Sequence, residues 1–569
     1  MGRVAEADFE TIVDPSDCRV WAWAVCYADE IERVYYGTDI DSFLLFCSQR
    51  GGDMMFFHNL QFDGKFIVDR LLKIGYRWCP ERPSRGQFST LVSSKGKFYQ
   101  VQVRFHNGAC VSFRDSLKLF PMGVRAIAKS FGLEEGKGEL DYETYREPGH
   151  ELTEEEKDYI RRDVQIVASA LAQNISQGLT KMTIGANAFG YFKSMHRKGW
   201  FEHVFPVVSE PVDTFIRKAY RGGFTYVSPE WAGRDVMGGI SVDYNSMYPS
   251  MLISKPYPVG VPEWFDGRYE QDGDYPLYVQ SMTCMLDLKD GGIPMVQSKG
   301  SAFFGQHEYV RTTPEPIDLT LTGVDLELLF DNYDVDVIGW GGGYKFHAMD
   351  GADLFGDYVE FWGEVKRTST GGLRQLAKLM LNNLYGKFST NPDVTQKRPE
   401  LGEDGVVRWV LCDEEHRDPV YVAVGAYCTA WARHTLITAI HGNIGRFVYC
   451  DTDSMHLAGT GEPTGIRLHD SDFCAWKVEG TFSRAKHLRA KTYMWDLNGE
   501  LTVTCAGMPA NIKEMCVTHY PFERNFELFE YGLSNIGSDG KVMEGFGKLT
   551  PVAVAGGVVL EARKYVLHE

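Results

Sequence analysis

The chain has no surplus of positive charge: 59 Lys and Arg stand against 77 Asp and Glu, a formal net charge of −18. A protein that holds polyanions by bulk basicity is thereby excluded. A local basic surface is not, because phosphate contact needs clustered cations and not a positive sum. No two of the 12 cysteines form a CxxC pair and no His spacing completes a zinc pattern, so the cysteines read as reduced, buried thiols of a cytoplasmic protein. No run of about 18 apolar residues exists, so no transmembrane helix is expected. Arg3, Glu6 and Asp8 stand where a signal peptide needs an apolar stretch. Internal repeats and low-complexity tracts are missing. So is a Walker A loop, since Gly386-Lys387 is followed by Phe388.

The 569 residues that are present are 44% hydrophobic and 24% charged, which is globular and not disordered. The length allows about three to five domains or subdomains. Strands and helices alternate from the start, the pattern of an α/β fold. Thr153 before Glu154, Glu155 and Glu156 predicts a capped helix start, and Gly178 predicts its end. A domain boundary is placed near 183. A strand ends at Asp243, a helix covers Tyr248 to Leu252, and the text from about 255 to 350 is strand-rich. A long helical stretch, Leu354 to Phe388, breaks at Gly371-Gly372. The polar insertion Asp393 to Glu415 reads as a solvated hairpin, followed by a strand-rich return to the end.

Three constellations carry chemistry. Asp8 and Glu10, two apart on a strand, share a face, as do Tyr159 and Asp163, four apart on a helix. With Asp63 they make four carboxylates and a tyrosine from three elements, a set able to hold two divalent ions about 3.5–4 Å apart. Taken singly, each acid reads as a solvated surface group. The second constellation is Phe447 to Leu457, a strand, tight turn and strand with Asp451 and Asp453 in the turn. Two acids inside an apolar hairpin repel each other and lose hydration, and a cation compensates. Asp243 at another strand end faces the same ions. The oxygen donors suit Mg²⁺, with Mn²⁺ as a substitute. The third is the helix Leu373 to Tyr385. Arg374, Asn382 and Tyr385 fall within about 40° of Lys378, and Leu373, Leu376, Met380 and Leu384 take the opposite face. The polar face suits a triphosphate and a base. A weaker signal, Arg484, Lys486, Arg489 and Lys491, offers a phosphate-backbone grip.

These residues resemble the family B DNA polymerases, and most closely the protein-primed polymerases of the phage phi-29 type. Asp243-Tyr244-Asn245-Ser246-Met247-Tyr248-Pro249, Lys378 to Gly386 and Tyr449 to Ser454 match the three polymerase motifs in order. Lys491-Thr492-Tyr493 is similar to the element that grips the primer strand, and Tyr220-Arg221-Gly222-Gly223 to the element between the two activities. Asp8 to Glu10, Asn59 to Asp63 and Tyr159 to Asp163 resemble the three motifs of a proofreading 3′–5′ exonuclease. Asp115-Ser116-Leu117 and Lys137-Gly138 resemble its single-strand-binding and catalytic-lysine positions.

The resemblance implies an α/β multidomain fold. An RNase H-like exonuclease domain spans 1–183, and a right-hand polymerase domain with two insertions spans 184–569. Within the latter, the palm takes 184–254 and 416–505, insertion one about 296–353, the fingers about 354–390, insertion two about 393–415 and the thumb about 506–569. It implies that Asp243, Asp453 and the Tyr244 carbonyl bind two ions, with Asp451 completing the acids, and that Asp8, Glu10, Asp63 and Asp163 bind two more. Lys366, Arg374, Lys378 and Asn382 would meet the incoming nucleotide. Tyr248 would lie under its sugar and Tyr385 near the nascent pair. Asn59, Phe62, Ser116 and Leu117 would hold a frayed 3′ end. Tyr220, Gly222, Gly223, Arg489, Lys491 and Tyr493 would hold DNA, and His58 and Phe66 would touch a priming protein. The implied partners are template and primer DNA, deoxynucleoside triphosphates and a priming terminal protein. The implied setting is a monomer in the cytoplasm of a phage-infected bacterium. Two rivals remain: a polymerase primed only by RNA or DNA, and a non-catalytic scaffold, against which the intact acids argue.

Overall fold

Along the opening strand, Val4–Asp14, apolar Ala5, Ala7 and Phe9 alternate with acidic Glu6, Asp8 and Glu10. A strand turns successive side chains to opposite faces, so one face enters the core and the other gathers carboxylates. Phe9 packs edge-on to Phe43 and Phe57, with ring centroids 4.8 and 4.9 Å away. The computed structural model describes residues 2–133, 144–297, 309–518 and 522–568. In it the opening strand is internal to an eight-stranded mixed sheet. It runs antiparallel to Asp17–Tyr27 and parallel to Met54–Phe57, which pairs in turn with Cys110–Asp115.

The helix Glu154–Ser176 begins with a reciprocal capping box between Thr153 and Glu156, as the sequence predicts. Its Tyr159, Ile160, Val164 and Ala168 pack on Trp21 and Ala24 of the sheet. The chain leaves it at Gly178, whose φ of +73° favours glycine.

The second domain is built on a seven-stranded antiparallel sheet in which Asp235–Tyr244 lies between Trp476–Arg489 and Ser454–Ala458. Phe447–Asp451 follows Ser454–Ala458, and Thr225–Val227 takes the edge. A separate four-stranded sheet comes from Pro256–Phe265, Leu277–Leu288, Ile317–Thr322 and Tyr333–Asp350, so it begins well before 296. The long helical stretch is two helices, Gly351–Thr368 and Gly371–Phe388, broken at Ser369-Thr370, just before the glycines.

The strand-rich return after 415 needs correction at its start. Val422–His441 is a 20-residue helix, buried on nearly every face. A helix enclosed all round carries no apolar stripe, so periodicity does not reveal it. The chain ends in the helices Ala510–Thr518 and Phe522–Leu528 and the hairpin Lys548–Val554/Gly557–Arg563.

Behind the strand carrying Asp451 lie two buried histidines. His456 Nδ1 and His487 Nε2 stand 2.9 Å apart, with Trp495 stacked on His456 at 4.5 Å. Burial drops His456 to about 3 and lowers His487 further than usual, with His456 adding to the effect. Both rings are therefore neutral in the fold, while unfolding frees them to take protons below about pH 6.5. Their contribution is present above that pH and is lost as pH falls. His487→Gln keeps a hydrogen-bonding partner for His456 and removes one titrating ring. Between about pH 7.5 and about pH 5, its thermal midpoint should fall less than that of the parent. Parallel declines in the two proteins would remove the pair from the acid response.

Candidate active sites

Asp243 sits one residue from the end of its strand, paired across to Ser454 on one side and to Lys477 on the other. The tight turn after Phe447–Asp451 puts Thr452 at a φ of +60° and brings Asp453 beside Asp243. The Tyr244 N–H donates to the Asp453 carbonyl at 2.6 Å, which ties the two strand ends together. Burial, then repulsion from Asp243 and Asp451, pushes Asp453 up to about 7. Asp243 is raised as well, by burial, against the pull of Lys477 at 3.5 Å. Asp451 has its own partners: Thr225 Oγ1 at 2.8 Å and Lys491 Nζ at 3.0 Å.

Asp243 and Asp453 line a cavity of about 770 Å³ with Tyr248, Lys366, Arg374, Lys378 and Asn382. The polar face of the helix Gly371–Phe388 forms one wall, while its Leu376, Met380 and Leu384 are buried behind. Tyr385 stacks on Tyr248 at 3.9 Å, so it backs the cavity's aromatic wall. Lys366 donates to Ser246 Oγ at 2.9 Å, and its carbonyl accepts from Arg374 at 2.6 Å. Burial lowers the Lys366 ammonium, and Lys378, Arg374 and Lys477 lower it further. Cations held in mutual repulsion beside two crowded acids are arranged for a polyanion together with metal ions.

The other acid cluster lies on the first sheet. Asp63, on the helix Leu60–Lys73, is buried, and one of its oxygens, Oδ1, has no hydrogen-bond partner. Burial raises it well above the usual carboxylate range, and Asp8 and then Asp115 raise it further. The helix carrying Tyr159 and Asp163 packs against the strand carrying Asp8 and Glu10. Asn59 takes a left-handed φ of +84° at the start of the Asp63 helix, and its N–H donates to Asp115 Oδ1 at 3.1 Å. Asp115 Oδ1 also accepts from the Leu117 N–H at 3.0 Å, so Asn59 and Leu117 are held by one carboxylate. Ser116 Oγ lies 3.1 Å from His58 Nδ1 and 3.2 Å from Glu6 Oε1. Phe62 is half-buried against Phe66. Lys137 lies outside the described residues.

A match to the family described as "DNA polymerase type B, organellar and viral" covers residues 48–151 and 137–469. The DNA polymerase of Bacillus phage Nf is 40% identical, with 98% of both chains covered. That of Bacillus phage phi29 is 38% identical over the same shares. The chain belongs to the phi29-like DNA polymerases of type B. The solved phi29 polymerase with primer-template DNA and incoming nucleotide substrates superposes with a TM-score of 0.91, at 37% identity and full coverage of both chains. The polymerase therefore has the expected architecture, an exonuclease domain followed by a family B polymerase domain.

Polymerases of this family use divalent metal ions, and both acid sets of this polymerase fit them. Each contains buried carboxylates whose ionised form is disfavoured by the neighbouring acids, and a bound cation relieves both costs. On the far side of the Asp451–Asp453 turn, Gly223, Arg489 and Lys491 line a second cavity of about 300 Å³ with Thr225 and Tyr309. Tyr493 packs on Tyr449 beneath it, 5.1 Å between ring centroids. Tyr220 and Gly222 lie on the segment leading into Gly223.

Several contributors escape sequence reasoning. Lys477 and Glu479 reach the polymerase cavity through a cross-strand register that sequence does not fix. Lys129 and Ser130 reach it from the first domain. Glu6 continues the alternation of Asp8 and Glu10, so the period-two pattern was a usable signal. Burial, and then Asp8, raises the Glu6 carboxyl well above the usual carboxylate range. Two expectations change. Arg484 pairs with Asp235 at 2.5 Å and Lys486 donates to the Phe526 carbonyl at 2.9 Å, so both tie strands and helices together and neither projects as a free phosphate grip. Phe66 is only 2% exposed, because Gly557 of the last hairpin closes over its ring, so it offers no surface to a priming protein.

Proposed function

We propose that this polymerase couples synthesis to 3′–5′ proofreading, with one metal-dependent site in each domain. The observation that supports this most is the pair of acid clusters on separate sheets, each with crowded, buried carboxylates. Asp243, Asp453 and the Tyr244 carbonyl would hold two Mg²⁺ ions, for which Mn²⁺ can substitute, and Asp8, Glu10, Asp63 and Asp163 would hold two more. When bound, such ions activate an attacking oxygen and stabilise the leaving one.

The chain's own groups do the positioning. Lys366, Arg374 and Lys378 receive the triphosphate of a deoxynucleotide, and Asn382 lies towards its base. Tyr248 lies under the sugar with Tyr385 behind it. Asp451, held by Thr225 and Lys491, keeps the turn in place. Tyr220, Gly222, Gly223, Arg489, Lys491 and Tyr493 hold the primer strand against the template. In the first domain Asn59, Phe62, Ser116 and Leu117 hold a frayed 3′ end, Tyr159 orients the attacking water and Lys137 assists. The proposed bounds are 1–183 for the exonuclease and 184–569 for the polymerase. Priming by a terminal protein, action as a monomer and a setting in the cytoplasm of an infected bacterium complete the reading. The experiment that tests it is primer extension with Mg²⁺ on a primer labelled at its 5′ end, scoring longer and shorter products together. A protein that lengthens primers and never shortens them would leave a polymerase without proofreading.

Tyr248 gives a sharper test. Its ring is wedged against Tyr385, so it cannot swing away from a 2′-hydroxyl. Tyr248→Val should lower the preference for deoxynucleotides over ribonucleotides by about 100-fold. Single-nucleotide kcat/KM for the matched pair of substrates measures it. Equal preferences in variant and parent would remove Tyr248 as the sugar gate.

A further inference from the structure

The outer edge of the eight-stranded sheet carries cations that none of these roles uses. From 74 to 109 the chain holds six Lys and Arg against one acid, Glu81, within a protein of net charge −18. The strands there are Arg77–Trp78 at the edge, then Gln87–Val92 and Phe98–Arg104. Phe88, Thr90 and Val92 enter the core with Val101 and Val103, so Gln87, Ser89, Gln102 and Arg104 turn to the opposite, partly exposed face. Arg77 and Arg104 both pair with Gln87, one from each side, which puts them in a single row about 10 Å apart. The Gly86 N–H donates to the Arg104 carbonyl at 2.9 Å, and the Gly86 carbonyl accepts from the Arg77 N–H at 3.1 Å, so Arg85 sits beside both. The Arg85 guanidinium lies over the turn that follows Arg104, where a Cβ on Gly108 would stand 3.1 Å from it.

Elsewhere in this acidic chain arginines find carboxylates: Arg3 meets Asp29, Arg70 meets Asp41 and Arg217 meets Asp213. Arg77, Arg85 and Arg104 make no ion pair with any described residue. Three guanidiniums gathered without an acid repel one another, and an outside anion relieves that cost. Gln87 and Ser89 add neutral donors on the same face, the mixture that phosphate oxygens accept. The other end of these strands receives the insertion hairpin, Asp393–Leu401 with Val407–His416, through a bridge between Ser93 and Gln396. At about 3.3 Å per residue, the run from Phe98 to Arg104 sets the arginines about 20 Å from that dock. Lys95 and Lys97 stand exposed in the turn at the dock, so cations mark both ends of the path.

We propose that Arg77, Arg85 and Arg104 form a track for the phosphate backbone of the displaced, non-template strand. A polymerase that draws its template past the hairpin leaves the complementary strand outside, and that strand meets this face of the first domain within a short run. Neutralised phosphates hold it there without regard to sequence, which keeps it from pairing again with the template. Such a track needs a polymerase that displaces strands, and it needs no exonuclease.

Two primer-templates test this, alike except that one carries, just ahead of the primer, an annealed strand with a long single-stranded 5′ tail. Equilibrium binding is read by fluorescence anisotropy without metal ions, so that neither DNA is changed. The parent should bind the tailed fork about tenfold more tightly, with a log K against log salt slope steeper by about two units, as three phosphate contacts on a single strand require. Arg77→Gln with Arg85→Gln and Arg104→Gln should lose both gains and bind the untailed DNA like the parent. Its thermal midpoint and its extension rate on open single-stranded template should match the parent, while extension through duplex should slow. Lysine at the same three positions should keep most of the gain, because neutralising phosphates needs the charge and not the fork. If the triple variant does not fold, Arg85→Gln alone, at an exposed position, should flatten the slope by about 0.7. Equal affinity of variant and parent for the tailed fork overturns the track and leaves the arginines to an acidic protein surface. A tail placed on the template strand separates the sources: an arginine-dependent gain there, and none with the displaced strand, assigns the row to incoming template and overturns the track as well. A parent that gains nothing from the tail, or that halts at duplex, overturns it outright.

Discussion

Asp453→Asn should stop nucleotide addition, cutting the extension rate about 10³-fold or more, and should leave removal of 3′ nucleotides within about twofold of the parent. The side chain keeps its size and loses the charge that a metal ion requires. Its neighbours at the site, Asp243 and the cations on the helix Gly371–Phe388, cannot supply the missing oxygen charge. The reverse variant, Asp8→Ala with Glu10→Ala, should abolish 3′ removal and leave extension nearly intact. The two acid sets lie on different sheets, and each draws its repulsion from its own members: Asp63 from Asp8 and Asp115, Asp453 from Asp243 and Asp451. Changes at separated sites that share no partners are close to additive, so the two losses should not mix. Loss of both activities in a folded Asp453→Asn protein would count heavily against two sites. Asp453→Asn should also be no less stable than the parent at neutral pH without metal ions, because a carboxyl raised to about 7 is costly to ionise there.

The parts of this molecule that sequence discloses are those whose pattern is local. The face of Arg374, Lys378, Asn382 and Tyr385 follows from helical geometry, and the same residues bound or back the polymerase cavity. The Thr153 capping box and the hairpin Asp393–Leu401/Val407–His416 are equally local. What sequence withholds depends on chain far away. Val422–His441 has no polar face to announce it, yet it helps to fill the main core. Lys477 meets Asp243 only because two strands pair in one register. Arg484 and Lys486 show the opposite error. A run of cations reads as a phosphate grip, but their partners, Asp235 and the Phe526 carbonyl, come from elements that local pattern cannot bring to them. Order along the chain identifies which acids belong together, and tertiary packing decides which cations remain available to a ligand.

Deleting residues 394–414 should leave the addition of the first few nucleotides intact, shorten products by about tenfold under a trap that captures released enzyme, and weaken strand displacement. The hairpin lies apart from the catalytic acids and docks on the first domain. The Ser94 N–H donates to the Thr395 carbonyl at 2.9 Å, Trp409 packs edge-on to Phe98 at 4.8 Å, and Val407 is buried in the first domain's core. The last hairpin docks on that domain too, through Cys18 to the Val558 carbonyl at 3.5 Å and the Gly556 N–H to Asp69 at 3.2 Å. The two hairpins meet near their tips, where a Cβ on Gly405 would lie 3.7 Å from that of Ala555. Two arms that leave the second domain and rejoin on one face of the first make a closed path, and DNA threaded through it could leave only by opening a docked hairpin. Removing one arm removes that barrier while the nucleotide cavity keeps all its walls. A passage too narrow for a duplex would also force a complementary strand to peel away as the enzyme advances, so displacement should fail along with processivity. Trp409→Ala loosens the dock without shortening the chain, and it should show the same defect in weaker form. Full-length products from the deletion variant, made on primed single-stranded circles with the trap present, would mean that retention on DNA does not depend on the ring.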